Sequence, residues 1–214
     1  MSEFHNVNFW GPTSLVLPRG YVLLLVSSPN VGKTEYGLRF LIDGVKQGES
    51  GVFISLNNTK ADIQKTLEEL GYGEDGKIKI IDYFLSRAKP SQIDDLSMEL
   101  NRLLDDAHSS SRFVIDSLCT LGLMIEPDIF PAWVLKQRAN VKMRAERGQG
   151  SLILMNWTTG IHRQEITNAL RNIVDGVLEM RFTETEKGEL NRFIRIFMLR
   201  GIKYKTAWSA IQFD

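Results

Sequence analysis

YVLLLVSSPNVGKT, Tyr21 to Thr34, decides the fold. Its first half, YVLLLVS, is a short uninterrupted apolar run, as expected of a strand buried on both faces. Its second half, SSPNVGKT, follows the phosphate-binding (Walker A) pattern G-x-x-x-x-G-K-[ST] except at the first position, where Ser27 stands in place of glycine. From Gly32 to Gln47, Tyr36, Leu38, Phe40, Leu41 and Val45 have helical spacing. A phosphate loop needs this strand-to-helix turn, small residues, and backbone N–H groups aimed at the anion. The candidate nucleotide-binding residues are therefore Ser27, Ser28, Pro29, Asn30, Val31, Gly32, Lys33 and Thr34. The N–H groups of Asn30 to Lys33 would hold phosphate, and the Lys33 ammonium would meet the β- and γ-phosphates. The Thr34 hydroxyl would join a magnesium shell. Serine at position 27 costs little unless the backbone there has positive φ. The plainer alternative is a tight turn with a solvated lysine.

Outward from this loop, strand-like and helical stretches alternate. GVFISL (51–56), KIKIIDYF (77–84), RFVIDSL (112–118) and SLILMNW (151–157) read as further strands. Between them lie a helix capped by Thr59 and ended by Gly71, one from about Ser91 to His108, and one over 131–148 with proline near its start. Five strand–helix repeats predict a parallel sheet covered on both faces. The last fifty residues differ. VDGVLEMRFTE (174–184) and NRFIRIFML (191–199) predict an antiparallel hairpin, and KTAWSAIQF (205–213) a final strand. The expected fold is α/β: a mostly parallel sheet flanked by helices and extended by C-terminal antiparallel strands. It would be one domain over 1–214, with 1–16 a short N-terminal extension.

Composition narrows the function. The 214 residues are 43% hydrophobic and 24% charged, an ordinary globular balance. The formal net charge is zero, which gives no support for nonspecific nucleic-acid binding. The one cysteine, Cys119, fits a reducing cytoplasm. The polar start predicts no signal peptide, and no apolar run approaches a membrane span. His5, His108 and His162 are too scattered for a zinc site. Asp116, ending RFVID, would present a carboxylate at the C-terminal edge of the sheet and reach magnesium through water. Its plainer role is to cap a turn.

SSPNVGKTEYGLRFLIDGVKQGESGVFISL, RFVIDSLCTL, and NIVDGVLEM with FMLRGIKYKTAW resemble, in order and spacing, the RecA-like P-loop ATPases of the KaiC-like and archaeal RadA-paralogue group. The resemblance runs from about Leu17 to the end. It implies a RecA-like fold, ATP and Mg²⁺ as cofactors, and a homo-oligomer or a RecA-like protein partner.

Several chemical positions depart from that family. The second strand usually ends in paired glutamates, one of which activates the attacking water; here Asn57 and Asn58 stand there. An amide positions water but cannot take its proton, and losing a general base costs about 10²–10⁴ in rate. The plainer role of the pair is a polar strand end. The family's K-x-R-G, which reaches a neighbouring subunit's nucleotide, is Met198-Leu199-Arg200-Gly201, so Arg200 alone remains. Asn156, at the fifth strand's end, is the candidate γ-phosphate sensor. Phe9 and Trp10 offer rings to a base, or simply pack together. Lys136, Arg138, Lys142, Arg144 and Arg147 on one helix, and the segment from Thr158 to Asn168, leave DNA contact open as an alternative, against the neutral total.

The expected function is ATP binding with weak or absent hydrolysis, as a regulatory or assembly subunit linked to recombination or signalling. The alternatives are an active Mg-dependent ATPase using another carboxylate (Glu35 or Glu165) or a partner, and an interaction module without nucleotide.

Overall fold

The computed structural model describes residues 4–8, 14–73, 76–83, 92–106 and 111–211. Phe9, Trp10 and His108 lie outside them. In chain order the elements are β1 (Phe4–Asn8), β2 (Ser14–Pro18), β3 (Val22–Ser27), α1 (Lys33–Lys46), β4 (Ser50–Ser55), α2 (Lys60–Glu69), β5 (Ile78–Asp82) and α3 (Gln92–Asp106). They continue with β6 (Ser111–Asp116), α4 (Leu118–Met124), α5 (Phe130–Glu146), β7 (Ser151–Thr158), α6 (Gln164–Ile173), β8 (Gly176–Glu184), β9 (Leu190–Leu199) and β10 (Ser209–Ile211).

The main sheet runs β10-β9-β8-β3-β7-β6-β4-β5, with β1 and β2 forming a separate hairpin. The strands from β8 to β5 are parallel, and β9 and β10 are antiparallel, as the sequence predicts. Every residue of β3, β6 and β7 is buried, and the middle of each is an apolar run. Two apolar clusters sandwich the sheet. One gathers Val22, Leu24 and Val26 with α3 to α6; the other gathers Leu23 and Leu25 with α1, α2 and the β1–β2 hairpin.

Three local expectations are corrected. The fourth strand stops at Asp116, because Ser117 caps a short helix by accepting from the Cys119 amide at 3.2 Å. The segment from Thr158 to Asn168, for which no helix is expected, runs from Gln164 into a helix, Gln164–Ile173, that buries Ile166, Thr167 and Leu170. β1 and β2 pair as a hairpin that reaches from the N-terminal extension to Pro18. The final strand is shorter than 205–213 within the described residues.

The hairpin is fastened by a buried polar network. Arg112, fully buried, donates to Glu49 (2.6 Å), Asp43 (2.8 Å), and the carbonyls of Phe40 (2.9 Å) and Asn6 (2.7 Å). Glu49 also meets His5 Nδ1 at 2.9 Å. Burial alone would raise the Glu49 pKa; the His5 hydrogen bond and the Arg112 charge outweigh it and hold it below the usual glutamate range.

Candidate nucleotide site

β3 delivers the chain into the loop at the C-terminal edge of the sheet. Two positions there take left-handed backbone, Asn30 (φ 61°) and Gly32 (φ 101°). Ser27 is not among the positive-φ residues, so a side chain at the first loop position is accommodated without strain. Asparagine is among the non-glycine residues that best tolerate that region. Gly32 is the N-cap of α1, and no side chain caps it, so the positive end of the helix faces the loop.

Lys33 lies folded over the loop. Its ammonium donates to Ser27 Oγ at 2.9 Å and to the Ser28 carbonyl at 3.1 Å. Ser27 therefore does more than fill the glycine's place: its hydroxyl holds the lysine. Burial pushes the Lys33 pKa down, and the Asp116 charge pulls partly against that.

β6 brings Asp116 to the same edge, 2% exposed. Thr34 Oγ1 donates to Asp116 Oδ2 at 2.6 Å, so these two oxygens share one spot beside the lysine. Asn156 on β7 is fully buried behind them. Its amide donates to Asp116 Oδ1 (3.0 Å) and to the Lys33 carbonyl (3.2 Å), joining β6, β7 and the start of α1. That makes it a positioning residue; Asn156 Oδ1 has no partner among the described residues. Gly37, missed at the level of sequence, matters here too. A Cβ on it would sit 2.9 Å from Val114, so its absence lets α1 close on β6.

The cleft in front of the loop has a volume of about 520 Å³. Pro29, Asn30, Gly32, Lys33, Thr34 and Asp116 line one side, with Asn57, Ser117, Thr158 and Ile161 around them. Asn57 is exposed there and accepts a hydrogen bond from Thr120. Asn58 is turned into its own bend, where the Ser55 hydroxyl bonds both its N–H and its carbonyl. Glu35 also borders the cleft, but Arg39 donates to its Oε1 twice, at 3.0 and 3.1 Å. Ile161 reaches the cleft from a short connection pinned by His162. The His162 ring stacks on Trp157 at 4.8 Å, and its Nε2 bonds the Cys119 carbonyl.

The residues fit a magnesium nucleotide. The uncapped helix end, the two left-handed positions and the lysine form an anion cradle, and the Thr34–Asp116 pair supplies hard oxygen donors. Thr34 and Asp116 would hold the ion, directly or through water, and Lys33 the phosphates. A bound Mg²⁺ would neutralise phosphate charge and fix its orientation. Among the described residues no cluster of three or more His, Cys, Asp or Glu forms an all-protein metal site.

Arg200 lies elsewhere. Its neighbour Leu199 pairs with Gly176, itself beside Leu23 at the start of β3, so Arg200 sits at the sheet edge opposite the loop. Its guanidinium donates to the carbonyls of Val174 (3.0 Å) and Asn172. The basic face of α5 is largely spent within the chain: Arg138 and Lys142 pair with Asp175, and Arg144 with Asp105. Among the described residues, no helix is long and apolar enough to cross a membrane.

Comparison with known proteins gives consistent matches. Residues 15–212 match the family model described as "ATPase: KaiC". A UPF0273 protein of Pyrobaculum aerophilum is 27% identical over 205 residues, spanning 88% of this chain and 70% of that one. A UPF0273 protein of Methanopyrus kandleri is 26% identical over 202 residues, spanning 86% and 77%. The crystal structure of a KaiC-like protein from Pyrococcus horikoshii superposes with a TM-score of 0.69 at 23% identity, covering 90% of this chain and 85% of that one.

Proposed function

Because the chain belongs to the KaiC ATPase family, we propose that it binds ATP with Mg²⁺ through the loop from Ser27 to Thr34 together with Asp116. We propose further that it turns the nucleotide over slowly or not at all and serves as a regulatory or assembly subunit of a cytoplasmic oligomer. The observation that carries the slow turnover is Asn57. It is an exposed side chain that follows β4 into the cleft, and it is an amide where the resemblance places a glutamate. Glu35, which borders the cleft along with Asp116, is engaged by Arg39. Bound nucleotide in such a site acts as a lasting ligand, stabilising the folded chain and any interface it touches.

Steady-state phosphate release tests this reading. The wild type is expected to release phosphate at a rate barely above background. Asn57→Glu, which places a carboxylate over the cleft, is expected to raise the rate by about 10²-fold, the lower range of general-base catalysis. Wild-type turnover that Lys33→Ala abolishes and Asn57→Glu fails to raise would refute slow hydrolysis.

A second reading, an ATPase completed by a neighbouring subunit, is favoured by the place of Arg200. From the edge opposite its own loop, it can meet a nucleotide only in another copy or partner. Phosphate release that rises with protein concentration and falls in Arg200→Ala would support that reading.

A further inference from the structure

The antiparallel extension of the sheet has two unlike faces. On one, Leu178, Met180, Ile194, Ile196 and Ile211 are buried in the same cluster as the N-terminal hairpin's Leu15 and Leu17. The other face carries Glu179 and Arg181 from β8, and Phe193, Arg195 and Phe197 from β9. Register sets Glu179 opposite Arg195, and Arg181 opposite Phe193.

Cations and rings alternate across this second face. Arg171 of α6 lies 5.0 Å from the Phe197 ring centre, and Arg195 lies 5.5 Å from Phe197 and 4.6 Å from Trp208. Arg181 lies 4.2 Å from Trp208 and 5.8 Å from Phe193. Glu179 sits among them at 2.7 Å from Arg171 and 2.6 Å from Arg195, with both oxygens used. Arg181 is exposed and has no carboxylate partner among the described residues. Three arginines over one glutamate leave an excess of two positive charges on a chain that is neutral as a whole.

A guanidinium stacked on a ring is engaged through its face, while its N–H groups radiate from its edge, where phosphate oxygens bind. The Arg181 fork lies against Trp208 and near Phe193, with its N–H edge left to solvent. Further along the same face, Phe197 is 42% exposed, so its ring still meets solvent beside Arg171 and Arg195. We propose that this strip binds single-stranded nucleic acid, with phosphates on the arginine edges, Arg181 first, and unpaired bases against Phe197 and the guanidinium planes. The charge excess calls for an anionic partner. The interleaved flat groups favour one with bases over an acidic peptide, which would use the charge and leave the rings idle. A duplex keeps its bases stacked on each other and gains only the charge term. The strip shares no residue with the loop at Lys33, so it stands or falls separately from ATP binding.

Fluorescence anisotropy of a labelled oligothymidylate with the intact chain, without ATP, tests the proposal. Binding is expected at low salt, weakening as salt rises, with a duplex of equal length a poorer competitor. Arg181→Glu is expected to weaken it at least about tenfold. The slope of log K against log salt should flatten by about 0.7 for each phosphate that the variant no longer neutralises. Phe197→Ala is expected to weaken binding by roughly tenfold, as removal of a stacking platform does. Arg181→Glu should leave the thermal response to ATP–Mg²⁺ as in wild type, showing an intact fold. The proposal is overturned if the wild type shows no binding at low salt, or if Arg181→Glu binds as the wild type does. It is equally overturned if polyglutamate displaces the oligonucleotide as well as unlabelled oligothymidylate does.

Discussion

Lys33→Ala is expected to erase most of the thermal stabilisation that ATP–Mg²⁺ confers. A ligand at a hundred times its Kd stabilises the folded state by about 2.7 kcal/mol. At roughly 2–4 °C per kcal/mol for a chain of this size, the wild-type Tm should rise by about 5–10 °C. Hydrogen bonds to a charged group contribute about 1.5–3 kcal/mol, so losing the ammonium weakens binding by about 10–10². At the same nucleotide concentration the variant should then retain under about 1.5 kcal/mol of stabilisation, and near zero at the upper end of that range. Differential scanning fluorimetry with and without nucleotide measures this directly, and equal shifts in the two proteins would remove Lys33 from the site. A pH dependence accompanies it. Burial lowers the Lys33 pKa despite the opposing pull of Asp116. The free protein therefore loses its phosphate-binding charge below the ordinary lysine range, and ATP affinity should fall as pH rises through that region. In Lys33→Ala that fall should be absent.

The largest stability loss is expected at Arg112. Alanine there would strand Glu49, 8% exposed, and Asp43, and would free the carbonyls of Phe40 and Asn6. Removing one partner of a buried ion pair costs about 3–5 kcal/mol, largely from the uncompensated charge left behind. That corresponds to a Tm lower by on the order of 10 °C, measurable by thermal or urea denaturation. The sign with pH follows from Glu49. Its folded-state pKa is depressed, so its ion pairing stabilises above the unfolded glutamate value and is lost as pH falls through the folded one. The gap between wild type and Arg112→Ala should therefore narrow in acid, where protonated Glu49 no longer needs a cation. A gap that widens in acid would contradict the assigned network.

The parallel core was legible because β3, β6 and β7 are buried throughout and each carries an unbroken apolar run, Val22–Val26, Phe113–Ile115 and Leu152–Met155. The loop was legible because glycine, lysine and threonine follow one another at a strand-to-helix turn. Helix α6 was harder to see, although Ile166, Leu170 and Ile173 have helical spacing. Its N-cap is Arg163, which makes no side-chain capping bond, so no conventional start signal precedes it. The β1–β2 hairpin was hidden because one of its inward positions is histidine. His5 is 2% exposed and tolerable there because Glu49, more than forty residues on, meets its Nδ1 and the Gly150 carbonyl meets its Nε2.

At the site, Asp116 could be read from a strand ending in an acid, but its support could not. Asn156 reaches Asp116 only once β7 lies beside β6, and it acts from behind the site as a positioning group. The two asparagines were equal in sequence, and the bend after β4 separates them, giving Asn57 the cleft and Asn58 the turn. The arginine–aromatic strip depends wholly on cross-strand register, with Arg181 opposite Phe193 and Glu179 opposite Arg195. No spacing along the chain announces it.

The central claim is that the turn after β3 is a working anion cradle with Lys33 at its rim. Calorimetric titration of ATP–Mg²⁺ into the wild-type chain tests it most directly. The expected result is a saturable, magnesium-dependent heat at one site per chain; heats indistinguishable from dilution, with and without magnesium, would contradict it.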